Sequence, residues 1–134
     1  MADSLQISVS GLKAQSQRLL ASAANIANLT SSGVNPESSA ASGPQVFKPL
    51  TVSQSAVSPA GGTTATISQN EDGTLLVFDP SSPFADENGA VAVPNISLEK
   101  EITDLLATKN AYKANALALR IAAETEDSLI DELS

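Results

Sequence analysis

The chain has 134 residues, of which 42 % are hydrophobic but only 3 % aromatic, and its formal net charge is -8. This length is enough for one ordinary domain, and the scarcity of aromatic side chains predicts a thin, aliphatic core. The acidic balance disfavours nucleic acid and anionic membrane surfaces as partners, because both select for clustered Lys and Arg.

Several classes of chemistry lack the residues that they need. The chain contains no cysteine and no histidine, which excludes disulfides, thiolate nucleophiles and imidazole metal ligands. Ser97 and Lys100 match a Ser-x-x-Lys pair, but the two further motifs of penicillin-interacting enzymes are missing from the sequence. We therefore expect no enzyme activity, no cofactor, no metal site and no small-molecule substrate.

The first segment, residues 1–30, predicts an N-terminal assembly helix over 3–28. Apolar and small residues recur in it at alternating steps of four and three, which is the spacing of a left-handed coiled-coil stripe. The stripe consists of Leu5, Val9, Leu12, Ser16, Leu19, Ala23 and Ile26. Gly11 lies inside this helix, where glycine costs about 1 kcal/mol relative to alanine.

The N-terminal segment does not read as a secretory signal. Asp3 stands where positive charge is expected, and polar residues interrupt any apolar run. No apolar run in the chain approaches the roughly 20 residues that span a bilayer. If the protein leaves the cytoplasm, we expect it to do so without a cleaved signal peptide.

The middle of the chain differs from its two ends. Residues 31–45 are rich in Ser, Gly and Pro and predict a flexible linker or loop. Residues 46–96 predict a small β or extended region. It starts with a weak strand over 46–57, in which Pro49 excludes a central position in a sheet.

A β-hairpin is the strongest local pattern of this region. Two strand-like runs, 63–69 and 74–78, flank a turn at Asn70-Glu71-Asp72-Gly73. Residues 79–96 contain several prolines and predict an extended segment with turns.

Residues 97–134 predict a C-terminal assembly helix that starts after Ser97 as N-cap and runs to about residue 132. Its main stripe has the same alternating steps and consists of Leu98, Ile102, Leu105, Lys109, Tyr112, Ala116, Leu119, Ala123, Glu126, Ile130 and Leu133. A second apolar stripe consists of Leu106, Ala114, Leu117, Ala118 and Ile121. A helix that is apolar on two sides is expected to be covered on two sides. A two-helix hairpin cannot do that, but a packed multi-subunit tube can.

The last turns of this helix are acidic, with Glu124, Glu126, Asp127, Asp131 and Glu132. Negative charge is unfavourable at a helix C-terminus. Two explanations remain open: a frayed, solvated end, or a basic partner surface that docks there.

The predicted fold class is mainly α with a small β part. The long N- and C-terminal helices pair as a coiled coil, and a short β-hairpin or extended region lies between them. We expect the isolated protein to be only partly helical and to gain helix on association.

Several stretches resemble the bacterial flagellar axial proteins, which build the rod and the hook. Ser10–Gln15 (SGLKAQ) and Asn25–Asn28 (NIAN) are similar to the N-terminal motif of that family. Asp79–Asn95 (DPSSPFADENGAVAVPN) resembles a segment of its short proximal-rod members, and Ala111–Asn115 (AYKAN) resembles the Tyr-x-Ala-Asn of its C-terminal helix. The resemblance covers both ends of the chain and the segment that leads into the last helix.

The resemblance implies a structural subunit of the flagellar basal-body rod. Such a subunit is exported unfolded by the type III apparatus and polymerises through its terminal helices into the periplasmic rod. That rod links the membrane ring of the motor to the distal rod and hook and transmits torque. The implied partners are other rod proteins, the junction of export gate and membrane ring, and copies of the chain itself in a helical tube.

The resemblance also implies roles for polar residues. Asn25, Asn28 and Asn115 would be buried or half-buried side chains that set the register of the helices. Together with the apolar stripes they give the predicted assembly interface: Leu5, Val9, Leu12, Leu19, Asn25, Ile26, Asn28, Leu98, Ile102, Leu105, Tyr112, Asn115, Leu119 and Ile130.

Two other functions are consistent with parts of the sequence. The chain could be a soluble helical adaptor or export partner that binds helices of other proteins without polymerising. A small hydrolase using Asp79, Asp86 and Glu87 is a weaker alternative, because no aromatic cleft for a sugar is present.

Overall fold

A computed structural model describes residues 2–38, 43–59 and 61–132, with only the backbone of residues 2–4. Part of the predicted linker and Leu133 of the predicted stripe lie outside the described residues. Six elements follow in chain order: α1 (Ala2–Ala27), β1 (Leu50–Ala56), β2 (Thr63–Gln69), β3 (Thr74–Phe78), β4 (Ala90–Pro94) and α2 (Leu98–Glu132). The predicted arrangement of two terminal helices around a small β part is confirmed.

The chain divides into two compact units that do not coincide with contiguous segments. The first unit contains the described parts of residues 1–21, 52–67 and 103–134, and the second contains those of 22–51 and 68–102. Each unit therefore includes part of both helices and part of the strand region.

The N-terminus of α2 is capped as the sequence predicts. The Ser97 hydroxyl oxygen accepts the backbone N–H of Lys100 at 3.3 Å, and the Ser97 carbonyl accepts that of Glu101 at 3.0 Å. The backbone N–H of Glu99 and the Ser97 hydroxyl both stabilise the Glu99 carboxylate and lower its pKa. Free N–H groups and the helix dipole favour acidic residues in this first turn.

The two predicted strands exist, but the predicted hairpin is wrong. Their bounds are those of β2 and β3, yet β2 pairs with β1 and β3 pairs with β4. The turn is present, because the Gly73 N–H donates to the Asn70 carbonyl at 3.1 Å. The turn therefore connects β2 of one sheet to β3 of the other, and the two strands that it connects do not pair with each other.

Backbone groups on both sides of this turn explain the change of partner. The Asn70 N–H donates to the Pro49 carbonyl, just before β1, and the Gly73 carbonyl accepts the N–H of Asn95, just after β4, both at 2.8 Å. The Asn70 N–H and the Gly73 carbonyl, which would bond to each other in a closed hairpin, thus bond to residues that are distant in the sequence. Residues 79–96 also contain more regular structure than expected, since β4 lies within them.

The core of the second unit lies at β4. Val91 and Ala92 are almost fully buried. The backbone of Ala92 exchanges two hydrogen bonds with that of Gly33, at 3.0 and 3.1 Å, on the edge of β4 that faces away from β3. Gly33 thus covers one edge of this small sheet.

Buried apolar side chains are few and small. Among the described residues, the fully buried hydrophobic side chains are Ala14, Ala21, Val91 and Ala92. Within the described part of the chain, neither helix is both long and apolar enough to cross a bilayer.

Candidate assembly surface

The buried face of α1 consists of small and polar residues. Its members recur at steps of three and four, as in a coiled-coil stripe. They are Gly11, Ala14, Ala21 and Asn25, which are buried, and Arg18, which is half-buried; Ser22, next to Ala21, is buried as well. Gly11 and Asn25 each lie one position before a residue of the predicted stripe, Leu12 and Ile26. One position corresponds to a rotation of about 100° around the helix, so the larger aliphatic residues border this face.

In the first unit, Asn115 of α2 lies against Gly11 of α1. A β-carbon on residue 11 would be 2.8 Å from Asn115 Nδ2 and 3.0 Å from its Cγ, which is closer than non-bonded carbon contacts allow. Glycine therefore makes room for the Asn115 amide. The sequence indicates only that Gly11 weakens its helix, whereas the structure shows what occupies the space that its missing side chain leaves.

Also in the first unit, Ser10 holds the loop between β1 and β2. Its hydroxyl oxygen accepts the Thr63 N–H at 3.0 Å, and the hydroxyl donates to the Ile7 carbonyl at 2.7 Å. A β-carbon on Gly62 would lie 2.6 Å from Ser10 Oγ, and Gly62 has φ +92°. The loop approaches α1 this closely because Gly62 has neither a side chain nor a restriction to negative φ.

In the second unit, Asn25 ties three segments together. Its Oδ1 accepts the Leu50 N–H at 2.7 Å, while its Nδ2 donates to the Leu50 carbonyl and to Glu101 Oε1, both at 2.9 Å. Asn25 is only 2 % exposed, and a buried amide needs such partners to offset its lost hydration. The end of α1, the start of β1 and the first turn of α2 thus meet at one side chain.

Asn28 has a more local role at the end of α1. Its Nδ2 donates to the Ala24 carbonyl at 2.8 Å, and its own carbonyl accepts the Ser31 hydroxyl at 2.8 Å. The same two carbonyls also accept backbone N–H groups, those of Asn28 at 3.1 Å and Ser31 at 3.0 Å, so the side-chain bonds reinforce the last turn. Asn28 therefore terminates α1, while Asn25 connects it to other segments.

Asp86 organises the loop before β4. Its Oδ1 accepts the N–H groups of Asn88 and Ala90, and its Oδ2 accepts the side-chain amide of Asn35, all at 2.9 Å. The Asn35 amide and the backbone N–H groups lower the pKa of Asp86 below its ordinary value of 3.8. Both carboxylate oxygens are occupied by bonds that fix the loop.

Thr108 is the most buried residue of α2. It is 1 % exposed, and its hydroxyl donates to the Asp104 carbonyl at 2.6 Å. The predicted stripe contains its neighbour Lys109, so the sequence analysis missed Thr108, as it missed Ser10 and Glu101. The recurrence of Gly11, Ala14, Arg18, Ala21 and Asn25 at coiled-coil steps is the signal that was available for α1.

The predicted interface residues fall into three groups. Asn25 is buried. Eight are half-buried: Leu5, Leu12, Leu19, Ile26, Asn28, Leu105, Asn115 and Leu119. Five are exposed, by between 37 % and 58 %: Val9, Leu98, Ile102, Tyr112 and Ile130.

The second apolar stripe of α2 is exposed as well. Leu106, Leu117 and Ile121 are 55 %, 48 % and 53 % exposed. Both helices thus present large aliphatic side chains to the surface, while small and polar residues occupy the faces that are covered. Surfaces of this kind occur where proteins assemble.

Comparison with known proteins gives a family for this chain. No protein-family model matches it, but curated relatives do. The chain is 31 % identical over 113 residues to flagellar basal-body rod protein FlgC of Escherichia coli O157:H7, which covers 84 % of this chain and 83 % of the relative. The chain belongs to the FlgC family.

The relatives come from distant bacteria. The FlgC protein of Aquifex aeolicus is 30 % identical over 126 residues, covering 91 % of this chain and 89 % of the relative. That of Bacillus subtilis is 31 % identical over 130 residues, covering 87 % of each. The resemblance to flagellar axial proteins is confirmed, and the FlgC family consists of structural proteins, not enzymes.

Proposed function

We propose that this FlgC-family protein is a structural subunit of the flagellar basal-body rod, in its proximal part. The subunit polymerises through its terminal helices and links the membrane ring of the motor to the distal rod and hook. It transmits torque through these contacts.

One observation carries the proposal: the helices bury none of their large aliphatic side chains fully and leave many of them exposed. The buried apolar residues of α1 are alanines, and Thr108 is the buried residue among those described in α2. Leu20 of α1 is 60 % exposed and Leu106 of α2 is 55 % exposed. Burying a side chain of this size stabilises an assembly by about 1.5–3 kcal/mol, so neighbouring subunits gain much by covering them.

Within one subunit, α1 and α2 pair as an antiparallel coiled coil. Two contacts support this pairing: Gly11 with Asn115 in the first unit and Asn25 with Glu101 in the second. Gly11 and Asn25 are two heptads apart on α1, and so are Glu101 and Asn115 on α2. A spacing of whole heptads in both helices is what a coiled-coil seam requires.

The stripe of small residues then forms the seam inside the subunit, and the predicted aliphatic stripes face neighbours. Val9, Ile102 and Ile130 belong to this outer set, because each is exposed in the single chain. Residues 1–30 and 97–134 act as assembly helices, while residues 46–96 lie outside the packed helices.

The proposed partners follow from the position in the rod. They are other rod proteins, the junction of export gate and membrane ring, further copies of this chain and, during secretion, the type III export apparatus. The protein acts in the periplasmic part of the basal body.

A paired substitution tests polymerisation. Leu117→Ser with Ile121→Ser removes two aliphatic side chains that are about half exposed and changes none of the buried residues of either helix. We expect the variant to fold normally but to fail to restore motility and external flagellin in a strain lacking the gene. Asn110→Ser with Lys113→Ser is the matched control on the same helix, since both residues are exposed and belong to neither apolar stripe, and it should restore both.

Two results would contradict the proposal. One is normal swimming of the deletion strain when no second copy of the gene is present. The other is absence of the tagged protein from purified basal bodies together with its recovery in a soluble complex, which would favour a non-polymerising adaptor.

A further inference from the structure

The strand β3 has one edge that pairs with nothing in the described part of the chain. In the second unit, β3 pairs with β4 in antiparallel register, with Leu75 opposite Val93, Leu76 opposite Ala92 and Val77 opposite Val91. The sheet contains only these two strands. The other edge of β4 is covered by Gly33, so the free edge of β3 is the open side of this sheet.

The hydrogen bonds of β4 determine which backbone groups of β3 point outward. Ala92 exchanges its backbone bonds with Gly33, and Ala90 exchanges its own with Asp86. In an antiparallel pair, the residue opposite such a position also points its N–H and C=O away from the shared ladder. Leu76 and Phe78 therefore direct their backbone groups to the free edge.

The last four side chains of β3 are apolar and exposed on both faces. Leu75, Leu76, Val77 and Phe78 are 49 %, 52 %, 46 % and 74 % exposed. A free edge with apolar side chains readily accepts a further strand, and proteins normally protect such an edge with charge, proline or a bulge. No such protection lies within Thr74–Phe78.

Acidic residues stand at both ends of this edge. Asp72 precedes β3 and Asp79 follows it, and both are exposed. Glu71 is occupied by an ion pair with Lys48, and no Lys or Arg occurs between Lys48 and Lys100. The edge therefore has negative charge at each end and an apolar centre.

This charge pattern selects the occupant. A second copy of the chain, added antiparallel through its own β3 with the two Leu76 residues opposite each other, would place its Asp79 opposite Gly73 and therefore next to Asp72, so that each end of the pair would carry two nearby like charges that repel. A strand with Lys or Arg at its ends would instead meet both aspartates with opposite charge. Apolar residues at alternate positions between those ends would pack beside the apolar side chains on one face of β3.

We propose that the free edge of β3 binds, by strand addition, an extended segment of another protein that has alternating apolar residues and a basic residue at each end. Leu76 and Phe78 supply the main-chain hydrogen bonds of this site, and Asp72 and Asp79 supply its charge selectivity. This site is separate from the helical surfaces that carry the proposed function, and it does not depend on them.

Peptide binding to the full-length chain tests the site. The probe is the fluorescein-labelled peptide Lys-Val-Thr-Val-Thr-Val-Lys, and fluorescence anisotropy measures its binding. The control peptide has Glu in place of both Lys residues. We expect saturable binding of the basic peptide and about tenfold weaker binding of the acidic one, because two ion pairs at the rim become two repulsions. Equal binding of both peptides, or no binding at millimolar concentration, would overturn the proposal.

Amide exchange followed by NMR locates the bound strand. In the free protein, the amides of Leu75 and Val77 should exchange slowly because they lie in the β3–β4 ladder, whereas those of Leu76 and Phe78 should exchange fast. The basic peptide should slow Leu76 and Phe78 selectively. Slowing confined to helix amides would refute the site, and slowing that grows with protein concentration without peptide would identify a second copy as occupant instead.

A proline substitution separates backbone from side-chain effects. Leu76→Pro removes an N–H that makes no bond to β4, and Leu76→Ala removes the same side chain but keeps the N–H. We expect Leu76→Pro to abolish peptide binding and Leu76→Ala to retain it. If Leu76→Pro fails to fold, the double variant Asp72→Asn with Asp79→Asn decides instead. The ratio of its affinities for the basic and the acidic peptide should fall to about one. An unchanged ratio would contradict the proposal.

Discussion

The side chain of Asn115 on α2 fills the space beside Gly11 on α1. These two residues lie in two different stretches that carry the resemblance to flagellar axial proteins, and the structure shows that they touch. A larger residue at position 11 would collide with the Asn115 amide, so the conformation of the asparagine depends on the glycine.

A double-mutant cycle at this contact gives the first prediction. In an open helix, Gly→Ala stabilises by about 1 kcal/mol, but here the new methyl group meets the Asn115 amide. We expect Gly11→Ala to bring little or no gain in the wild-type background and the full gain in an Asn115→Ala background. Thermal unfolding followed by circular dichroism measures both, and equal effects in the two backgrounds would show that the contact is absent.

The second prediction concerns the buried amide of Asn25. Asn25→Ala removes three hydrogen bonds and leaves the Leu50 backbone without partners, which should lower the free energy of unfolding by about 1–3 kcal/mol. Asn28→Ala is the control, because the Asn28 side chain reaches only the Ala24 carbonyl of its own helix, and it should cost much less. Denaturant titrations compare the two, and equal losses would contradict the role assigned to Asn25.

The third prediction concerns a negative charge introduced at Asn25. Asn25→Asp keeps an acceptor for the Leu50 N–H but puts a carboxylate beside Glu101 and the Leu50 carbonyl, so it should destabilise more than Asn25→Ala at neutral pH. Adding Glu101→Gln should restore much of the loss, because the glutamine amide can donate to the new carboxylate. A double variant no more stable than Asn25→Asp alone would argue against direct contact.

The fourth prediction is the acid response of the loop before β4. The pKa of Asp86 is lowered on folding, so its stabilising contribution is fully present above the ordinary value of 3.8 and disappears as the pH falls through the folded value below it. Asp86→Asn should remove this part of the acid dependence. The side-chain amide resonances of Asn35, followed by NMR between neutral pH and pH 2, should shift with the titration in the wild type only.

The fifth prediction concerns the helices as a whole. Because many of their large aliphatic side chains are exposed in the single chain and none is fully buried, we expect dilute protein to be only partly helical and to gain helix as it associates. Circular dichroism over a range of concentrations, with sedimentation to follow association, provides the measurement. Full helicity that does not change with concentration at low micromolar levels would contradict this expectation.

The helices could be predicted from the sequence because their signals are local. Alternating steps of three and four define both, and Ser97 with Glu99 sets the start of α2. The strand bounds of β2 and β3 were also predictable from the turn between them. Their pairing was not, because it depends on Asn70 reaching Pro49 and on Gly73 accepting from Asn95.

The covered faces of the helices were harder to predict for a physical reason. Sequence patterns give most weight to large aliphatic residues, but in the single chain these remain at the surface and the covered positions are small or polar. Thr108 and Asn25 are more buried than Leu20 or Ile130. Ser10 was missed because its partner Thr63 is remote in the chain, so no local pattern reveals the bond.

The hydrogen bonds of Asn25 also order events in time. Asn25 is synthesised long before Glu101, which lies 76 residues further along the chain. The bond between these two side chains can therefore form only when most of the chain exists, whereas the two bonds of Asn25 to Leu50 can form much earlier. The end of α1 can thus be joined to the start of β1 before it is joined to α2.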